Sequence, residues 1–436
     1  MVEVKRVVEE WKIWKEEEKV ARLEEKAKKL VPEKFYQRIK VFGKKQSERI
    51  LTQKTWDHAI DMKERFVPRK GKVYPLSRKE RKEVREFIQE QLRKRYIQPS
   101  KLPQTASVFF VGKKDGKKKM VQDYWYFNEW MVKNNYLLPL IYDIIENMDT
   151  KRVFTKTDLR WGYNNVRIKE EDEWKAVFMT PEGLFEPTVM FFGLTNLPVT
   201  FQAMMNELLR DLINTGKVAV FIDNVIVGTE SEEGHNELVE EIIKRLEENN
   251  LYVKLEKYKW KMREVGFLGV VIGPKRIKIE EEKVKGVLEW PTLTYVKNIQ
   301  KFLGLANYYH RFIEGFAAIA RPLHNIVKKD KKWDWMEKQE KVFRKLKEKF
   351  IKESVLAVPD LDKKLRIEVD MSDYVIGEVL SMKGKDGLWR PVVFLSKSLN
   401  EIERNYEIHD KEMLVIIRGL ENWRYLLEGT CFKFKI

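Results

Sequence analysis

The chain has 436 residues, a formal net charge of +17 and a pI near 9.4. That length allows two or three domains with separate cores, and 43% hydrophobic with 12% aromatic residues excludes a disordered polyelectrolyte. The positive excess suits a polyanionic partner, nucleic acid first, although a solubilising surface would carry the same charge. The only cysteine, Cys431, excludes an internal disulfide and suits a reducing compartment. His58, His235, His310, His324 and His409 are scattered, with no Cys/His cluster at zinc-ligand spacing. No apolar run approaches the ~20 residues of a membrane span. Glu and Lys are mixed from the N-terminus onward, unlike a signal peptide. A soluble intracellular protein, cytoplasmic or nuclear, is expected.

Residues 3–29 lack Gly and Pro and place Val4, Val7, Trp11 and Trp14, then Val20, Leu23, Ala27 and Leu30, at 3/4 spacing. This predicts a charged amphipathic helix ending before Pro32. A second helix is predicted over 77–97, opened by Ser77 with Glu80 three residues on. Val108–Val111, a lysine-rich turn and Met120–Tyr124 read as strand, basic turn, strand. Its lysines are either an exposed tip or a clamp for phosphates. Val153–Thr157 alternates as a strand and delivers Asp158 at its end. Pro198, Phe201, Met204, Met205, Leu208, Leu209 and Leu212 mark a helix over 197–213, and Leu238, Ile242 and Leu246 another from Glu232 to Asn250.

Between these helices Val218–Gly228 reads as two β-branched runs around Asp223-Asn224, a hairpin with a tight turn. Taken alone, that pair is most simply a turn whose residues tolerate unusual backbone angles. The other reading is a metal-binding carboxylate, which needs a second acid. Asp158 can supply it. A split, ferredoxin-like β-α-β-β core would set the end of its strand beside the hairpin. Two carboxylates there suit two-metal phosphoryl transfer, with Mg²⁺ ions ~4 Å apart and no nucleophilic side chain or histidine base.

Several strings resemble the reverse transcriptase–ribonuclease H part of a gypsy-type LTR retrotransposon polyprotein. They are Val108-Phe109-Phe110-Val111-Gly112-Lys113-Lys114-Asp115-Gly116, Thr157-Asp158-Leu159-Arg160-Trp161-Gly162-Tyr163, Phe192-Gly193-Leu194-Thr195-Asn196 and Phe302-Leu303-Gly304-Leu305-Ala306-Asn307-Tyr308-Tyr309. The resemblance implies an α+β right-hand polymerase followed by a connection and a partial ribonuclease H-like domain. It divides the chain into a helical extension (1–30), fingers and palm (31–255), thumb with primer grip (256–290), connection (291–350) and the ribonuclease H-like part (351–436). The implied activity is RNA-directed DNA synthesis, with Mg²⁺ or Mn²⁺ as cofactor and RNA and DNA template-primer and dNTPs as partners.

By the same resemblance Asp158 and Asp223 are the metal-binding catalytic acids. Tyr163 is the gate against a 2′-hydroxyl, and Phe192 floors the nucleotide pocket. Read from the residues alone, both are simply core aromatics. Lys113 and Lys119 reach the triphosphate, and Phe267-Leu268-Gly269 is the primer grip. Asp370, at the end of the Leu365–Val369 strand and before a turn at Gly377, and Glu412, on a helix faced by Leu414 and Ile417, are the first two of four nuclease metal ligands. The third falls beyond Ile436, so the nuclease is expected to be incomplete.

Three departures from the family pattern bear on chemistry. Asn224 replaces the second acid of the Asp-Asp box, removing a charge and a ligand oxygen, so weakened polymerisation is expected. Trp125 stands where an arginine faces the template. Lys119 replaces an arginine and gives up bidentate phosphate geometry. The rival expectation is a non-catalytic nucleic-acid-binding remnant or a pseudogene product.

Overall fold

The computed structural model describes Glu25, Lys28 and residues 31–43, 52–72, 74–102, 105–112, 118–328, 331, 333–352, 355–360 and 362–428. The helix expected over 3–29 lies outside the described residues except for Glu25 and Lys28, and so does Lys113 at the basic hairpin. Two compact units divide the chain. One is Met1–Asn147 with Val153–Met262, and the other is Met148–Arg152 with Arg263–Ile436.

In the first unit, helix α1 (Arg78–Arg93) opens on the expected capping box. The Ser77 hydroxyl accepts from the Glu80 N–H at 3.3 Å, and the Glu80 carboxylate accepts from the Ser77 N–H at 2.9 Å. The helix stops at Arg93 rather than 97. Arg95 turns to φ 56°, and Ile97–Pro99 becomes strand β1, paired antiparallel with Gly183–Pro187. A distant strand outbids the local helical preference there. Strands β2 (Ser107–Gly112) and β3 (Lys118–Asp123) form the predicted hairpin, and helices α2 (Trp125–Trp130) and α3 (Ile141–Asp149) follow.

The next elements are β4 (Val153–Asp158), β5 (Phe178–Thr180), β6 (Gly183–Pro187), α4 (Leu197–Asn214), β7 (Val218–Phe221), β8 (Asn224–Thr229), α5 (His235–Glu248) and β9 (Lys259–Met262). The central sheet has the order β7-β8-β4-β9, all neighbours antiparallel. Helix α4 separates β4 from the β7–β8 hairpin, which then returns against β4: this is the split β-α-β-β arrangement. Val225, Ile226 and Val227 are all buried, as a strand covered on both faces requires. Phe201, Met204, Met205 and Leu209 bury one face of α4, which packs on β7, while Val239, Ile242, Ile243 and Leu246 bury a face of α5, which packs on β8. Each such side chain contributes about 1.5–3 kcal/mol on full burial. Strand β9 pairs with β4, so residues 259–262 belong to the first unit rather than to the segment that follows.

The second unit begins with β10 (Val265–Phe267), β11 (Val270–Gly273) and β12 (Arg276–Ile279). Helices α6 (Glu281–Leu288), α7 (Val296–Tyr308), α8 (Phe316–Ile326) and α9 (Glu337–Lys352) come next, and β13 (Val355–Ala357) completes a β10-β11-β12-β13 sheet. Phe302 binds α7 to α9 edge-on, its ring 4.8 Å from that of Phe343. A second sheet, β14 (Leu365–Met371), β15 (Val375–Lys383) and β16 (Trp389–Ser398), is covered by α10 (Ile408–Asn422), with α11 (Arg424–Leu427) after it. Gly377 is not in a turn. It lies within β15 opposite Asp370, and the chain reverses at Ser372–Tyr374. On α10 the half-buried Leu414 packs against Ile376, Leu399 and Val415, but Ile417 is 44% exposed, and the buried positions are Lys411, Val415 and Gly419. Gly419 on that face packs against Glu378 of β15. A Cβ at position 419 would crowd the Glu378 carboxylate, which would have to shift to admit it. Among the described residues no helix is long and apolar enough to cross a membrane.

Buried titratable groups differ between the units. His58 bonds Thr200 Oγ1 at 2.9 Å, and His235 bridges Thr155 of β4 and Thr229 of β8 at 2.8 Å each; burial lowers both imidazoles to about 4. Glu378 is 4% exposed, neither carboxylate oxygen has a hydrogen-bond partner, and burial raises it to about 7 against the opposing pull of Arg418. From an ordinary 6.5 down to about 4, the unfolded histidines bind protons the native ones refuse, so the first unit loses stability as pH falls. From an ordinary 4.5 up to about 7, native Glu378 keeps a proton the unfolded chain releases, so the second unit loses stability as pH rises. Each group is worth about 3 kcal/mol at the far end of its window. Thermal unfolding followed across this pH range should show His235→Gln flattening the acid limb and Glu378→Gln the upper one; unchanged slopes would refute the assignment.

Candidate active site

The site grows from the β4–β8 ladder. Its register runs from Val153↔Thr229 to Asp158↔Asn224, so β4 ends where the hairpin turns. The Leu159 N–H donates to the Asp223 carbonyl at 2.8 Å, and the Asp158 carbonyl accepts from the Lys254 N–H at 2.8 Å. Asp158 is 2% exposed and held from both sides. Asp223 is thereby fixed next to it, and a Cβ on Gly162 would sit 3.6 Å from the Asp223 Cβ. Asp158 and Asp223 are brought together as expected.

The turn is not centred on Asp223-Asn224. Phe221 pairs with Asn224, which begins β8, so the two loop residues are Ile222 and Asp223. Ile222 takes φ 55°, a left-handed conformation that costs a β-branched residue roughly 1–3 kcal/mol. Gln202 of α4, fully buried, holds it: its Oε1 accepts from the Ile222 N–H at 2.7 Å and its Nε2 donates to the Val220 carbonyl at 3.1 Å. This residue was missed in the sequence. The signal was an amide within the Phe201–Met205 apolar face.

Also missed were the cations. Lys257 donates to Asp158 Oδ2 at 2.6 Å, Lys156 lies 3.8 Å from Asp158 Oδ1, and Lys254 lies 3.5 Å from Asp223 Oδ2. The Asp158 hydrogen bond raises the Lys257 ammonium above its usual range. Asn224 Nδ2 donates to Asp223 Oδ1 at 3.1 Å, so position 224 presents a donor where the family pattern has a ligand oxygen.

Tyr163 and Phe192 meet edge to face, with ring centroids 5.3 Å apart, and Phe201 backs Tyr163 at 5.9 Å. Burial, and then the charge of Asp223, raise the Tyr163 phenol. Phe192 is 47% exposed, which a purely structural core aromatic would not be. Asn128 of α2 clamps the loop after it, donating to the Gly193 carbonyl at 2.7 Å and accepting from the Thr195 N–H at 3.0 Å. Lys119 lies on β3 and Lys113 outside the described residues, and Trp125 is 74% exposed on α2.

In the second unit, Phe267-Leu268-Gly269 joins β10 to β11. Leu268 (φ 51°) and Gly269 (φ 88°) form the turn, whose carbonyls accept from the Tyr308 and Tyr309 hydroxyls at 2.6 and 3.1 Å. Asp370 and Glu412 are both exposed, on elements that pack together, but no cluster of three or more potential metal ligands occurs among the described residues.

The polymerase-type acids do fit a divalent cation. Asp158 Oδ1 is a buried carboxylate oxygen with no hydrogen-bond partner, and a second carboxylate lies across the ladder. Mg²⁺ commonly takes one or two carboxylates and completes its shell with water and substrate phosphate.

Residues 111–272 match the family "Reverse transcriptase (RNA-dependent DNA polymerase)", and residues 335–436 match "RNase H-like domain found in reverse transcriptase". These matches place a reverse transcriptase domain at 111–272 and an RNase H-like domain at 335–436. Among named relatives, the Tf2-7 and Tf2-3 transposon polyproteins of Schizosaccharomyces pombe are 34% and 33% identical over 363 residues, 83% of this chain. The match spans 27% of those polyproteins' length, so the chain corresponds to about a quarter of each. The fold is that of the foamy viral protease-reverse transcriptase. With its RNA/DNA hybrid complex the TM-score is 0.74 at 19% identity, covering 95% of this chain and 56% of the other. With the dRH form bound to double-stranded DNA it is 0.77 at 20% identity, covering 95% and 73%.

Gln202→Leu should leave the Ile222 N–H buried without an acceptor and cost about 1–3 kcal/mol. Chemical denaturation should report that loss. A Gln202→Leu protein as stable as the parent would show that the strained turn does not depend on this amide.

Proposed function

We propose that this chain is the reverse transcriptase and RNase H-like portion of a gypsy-type LTR retrotransposon polyprotein, extending primers on RNA and DNA templates from dNTPs with Mg²⁺ or Mn²⁺. The observation that carries the reading is the buried Asp158 set against Asp223 across the end of the β4–β8 ladder. Bound there, a divalent cation supplies Lewis-acid charge that activates the primer 3′-hydroxyl and offsets charge on the departing pyrophosphate.

The chain's own residues do the positioning. Asp158 and Asp223 hold the metal, and the ladder and Gln202 keep their backbones still. Tyr163, wedged between Phe192 and Phe201, excludes a 2′-hydroxyl, while the exposed face of Phe192 takes the sugar and base. Lys113 and Lys119 are assigned to the triphosphate, and the Leu268-Gly269 turn, tied by two tyrosines, to the primer. Fingers and palm then run from about residue 31 to Met262, with the primer-grip hairpin beginning the second unit. Asp370 and Glu412 are proposed as metal ligands of the RNase H-like domain.

Asn224 lowers the output of this site. It contributes no negative charge and turns a donor toward Asp223. Restoring the carboxylate with Asn224→Asp should raise single-nucleotide extension of a primer on RNA by about a hundredfold or more, the equivalent of several kcal/mol. Parallel extension assays in Mg²⁺ and Mn²⁺ test this. Equal rates for parent and revertant would show that position 224 holds no essential ligand. Silence from both would favour the nucleic-acid-binding remnant, a reading to which Asn224 also lends weight.

A further inference from the structure

We propose that Lys257 is a tethered counter-cation on Asp158 which a divalent cation has to displace, so that this chain takes up metal more weakly than its carboxylates alone would. The inference rests on the reading of Asp158 and Asp223 as the metal-holding acids.

The pair is asymmetric. The Asp158 side chain is 3% exposed and that of Lys257 57%, so the carboxylate is fixed while the ammonium has open solvent to swing into. At 2.6 Å the contact is a short, charge-assisted hydrogen bond, made to an oxygen a hard cation would also seek. The backbone keeps Lys257 in place. Lys254 donates its N–H to the Asp158 carbonyl at 2.8 Å, and the Lys257 N–H closes the following turn onto the Lys254 carbonyl at 3.1 Å. The lysine thus hangs from the residue it neutralises. It also has company: Lys156 stands 3.8 Å from the other Asp158 oxygen, and Lys254 stands 3.5 Å from Asp223. Three ammonium groups face two carboxylates, and Asn224 adds no charge to the acidic side. An arriving dication meets repulsion from all three, and Lys257, whose ammonium shares an Asp158 oxygen with it, repels it most strongly.

The test is Mn²⁺ titration of the full chain, with free Mn²⁺ read by electron paramagnetic resonance, independent of any turnover. Because the Lys257 ammonium sits at the surface, Lys257→Met leaves the core intact. It should bind Mn²⁺ about tenfold more tightly than the parent. Lys257→Arg, which keeps the charge, should stay near the parent value. Adding Asp158→Asn to Lys257→Met should erase the gain. Unchanged or weaker Mn²⁺ binding by Lys257→Met would overturn the proposal while leaving the two-acid reading standing. A gain that survives Asp158→Asn would place the ion elsewhere and overturn both.

Discussion

The antiparallel pairing of β4 with β8 is the constraint on which the first unit depends. It brings together segments more than sixty residues apart in sequence, and its register decides which side chains share the strand ends. A slip of one residue would turn the whole β4 face over, sending Asp158 to the opposite side of the sheet. Val225, Ile226 and Val227, buried on both faces, anchor β8 in the core without distinguishing one register from the next. His235, bridging Thr155 and Thr229, adds a polar lock across the same two strands.

The strain is stored at the turn. An isoleucine with positive φ is a poor local choice, and it survives because Gln202 and the ladder over-determine the backbone around it. The result is a short, stiff loop that projects Asp223 rather than letting it wander. Electrostatics then works the other way. The acids are rigid, but lysines crowd them, and the amide at 224 leaves the site less negative than an Asp-Asp box. Rigid positioning and weak charge are separate properties of this chain, and Asn224 is the departure from the family pattern that bears on the second.

What could be read in the sequence was whatever depends on near neighbours. The capping box at Ser77, the strand that delivers Asp158, the apolar stripe of α4 and the β7–β8 runs all follow from spacing within a few residues. The motif strings around Asp158, Tyr163 and Phe192 pointed to the proposed site. What was not legible depends on partners far away in the chain. Helix α1 ends early because β1 is claimed by Gly183–Pro187, and α10 brings Gly419 against Glu378 of a strand some forty residues earlier. The turn shifts by one residue because Asn224 pairs with Asp158 as well as Phe221. Gln202, Lys254 and Lys257 look unremarkable in sequence, and only the fold puts them on the hairpin and the acids.

Asp158 and Asp223 are proposed to hold the catalytic cation together. This is tested most directly by anomalous diffraction from crystals of the chain with a primed template, Mn²⁺ and a non-hydrolysable nucleoside triphosphate. A manganese peak is expected within ligand distance, about 2.0–2.3 Å, of oxygens from both residues. Manganese bound to the triphosphate but to neither carboxylate would contradict it.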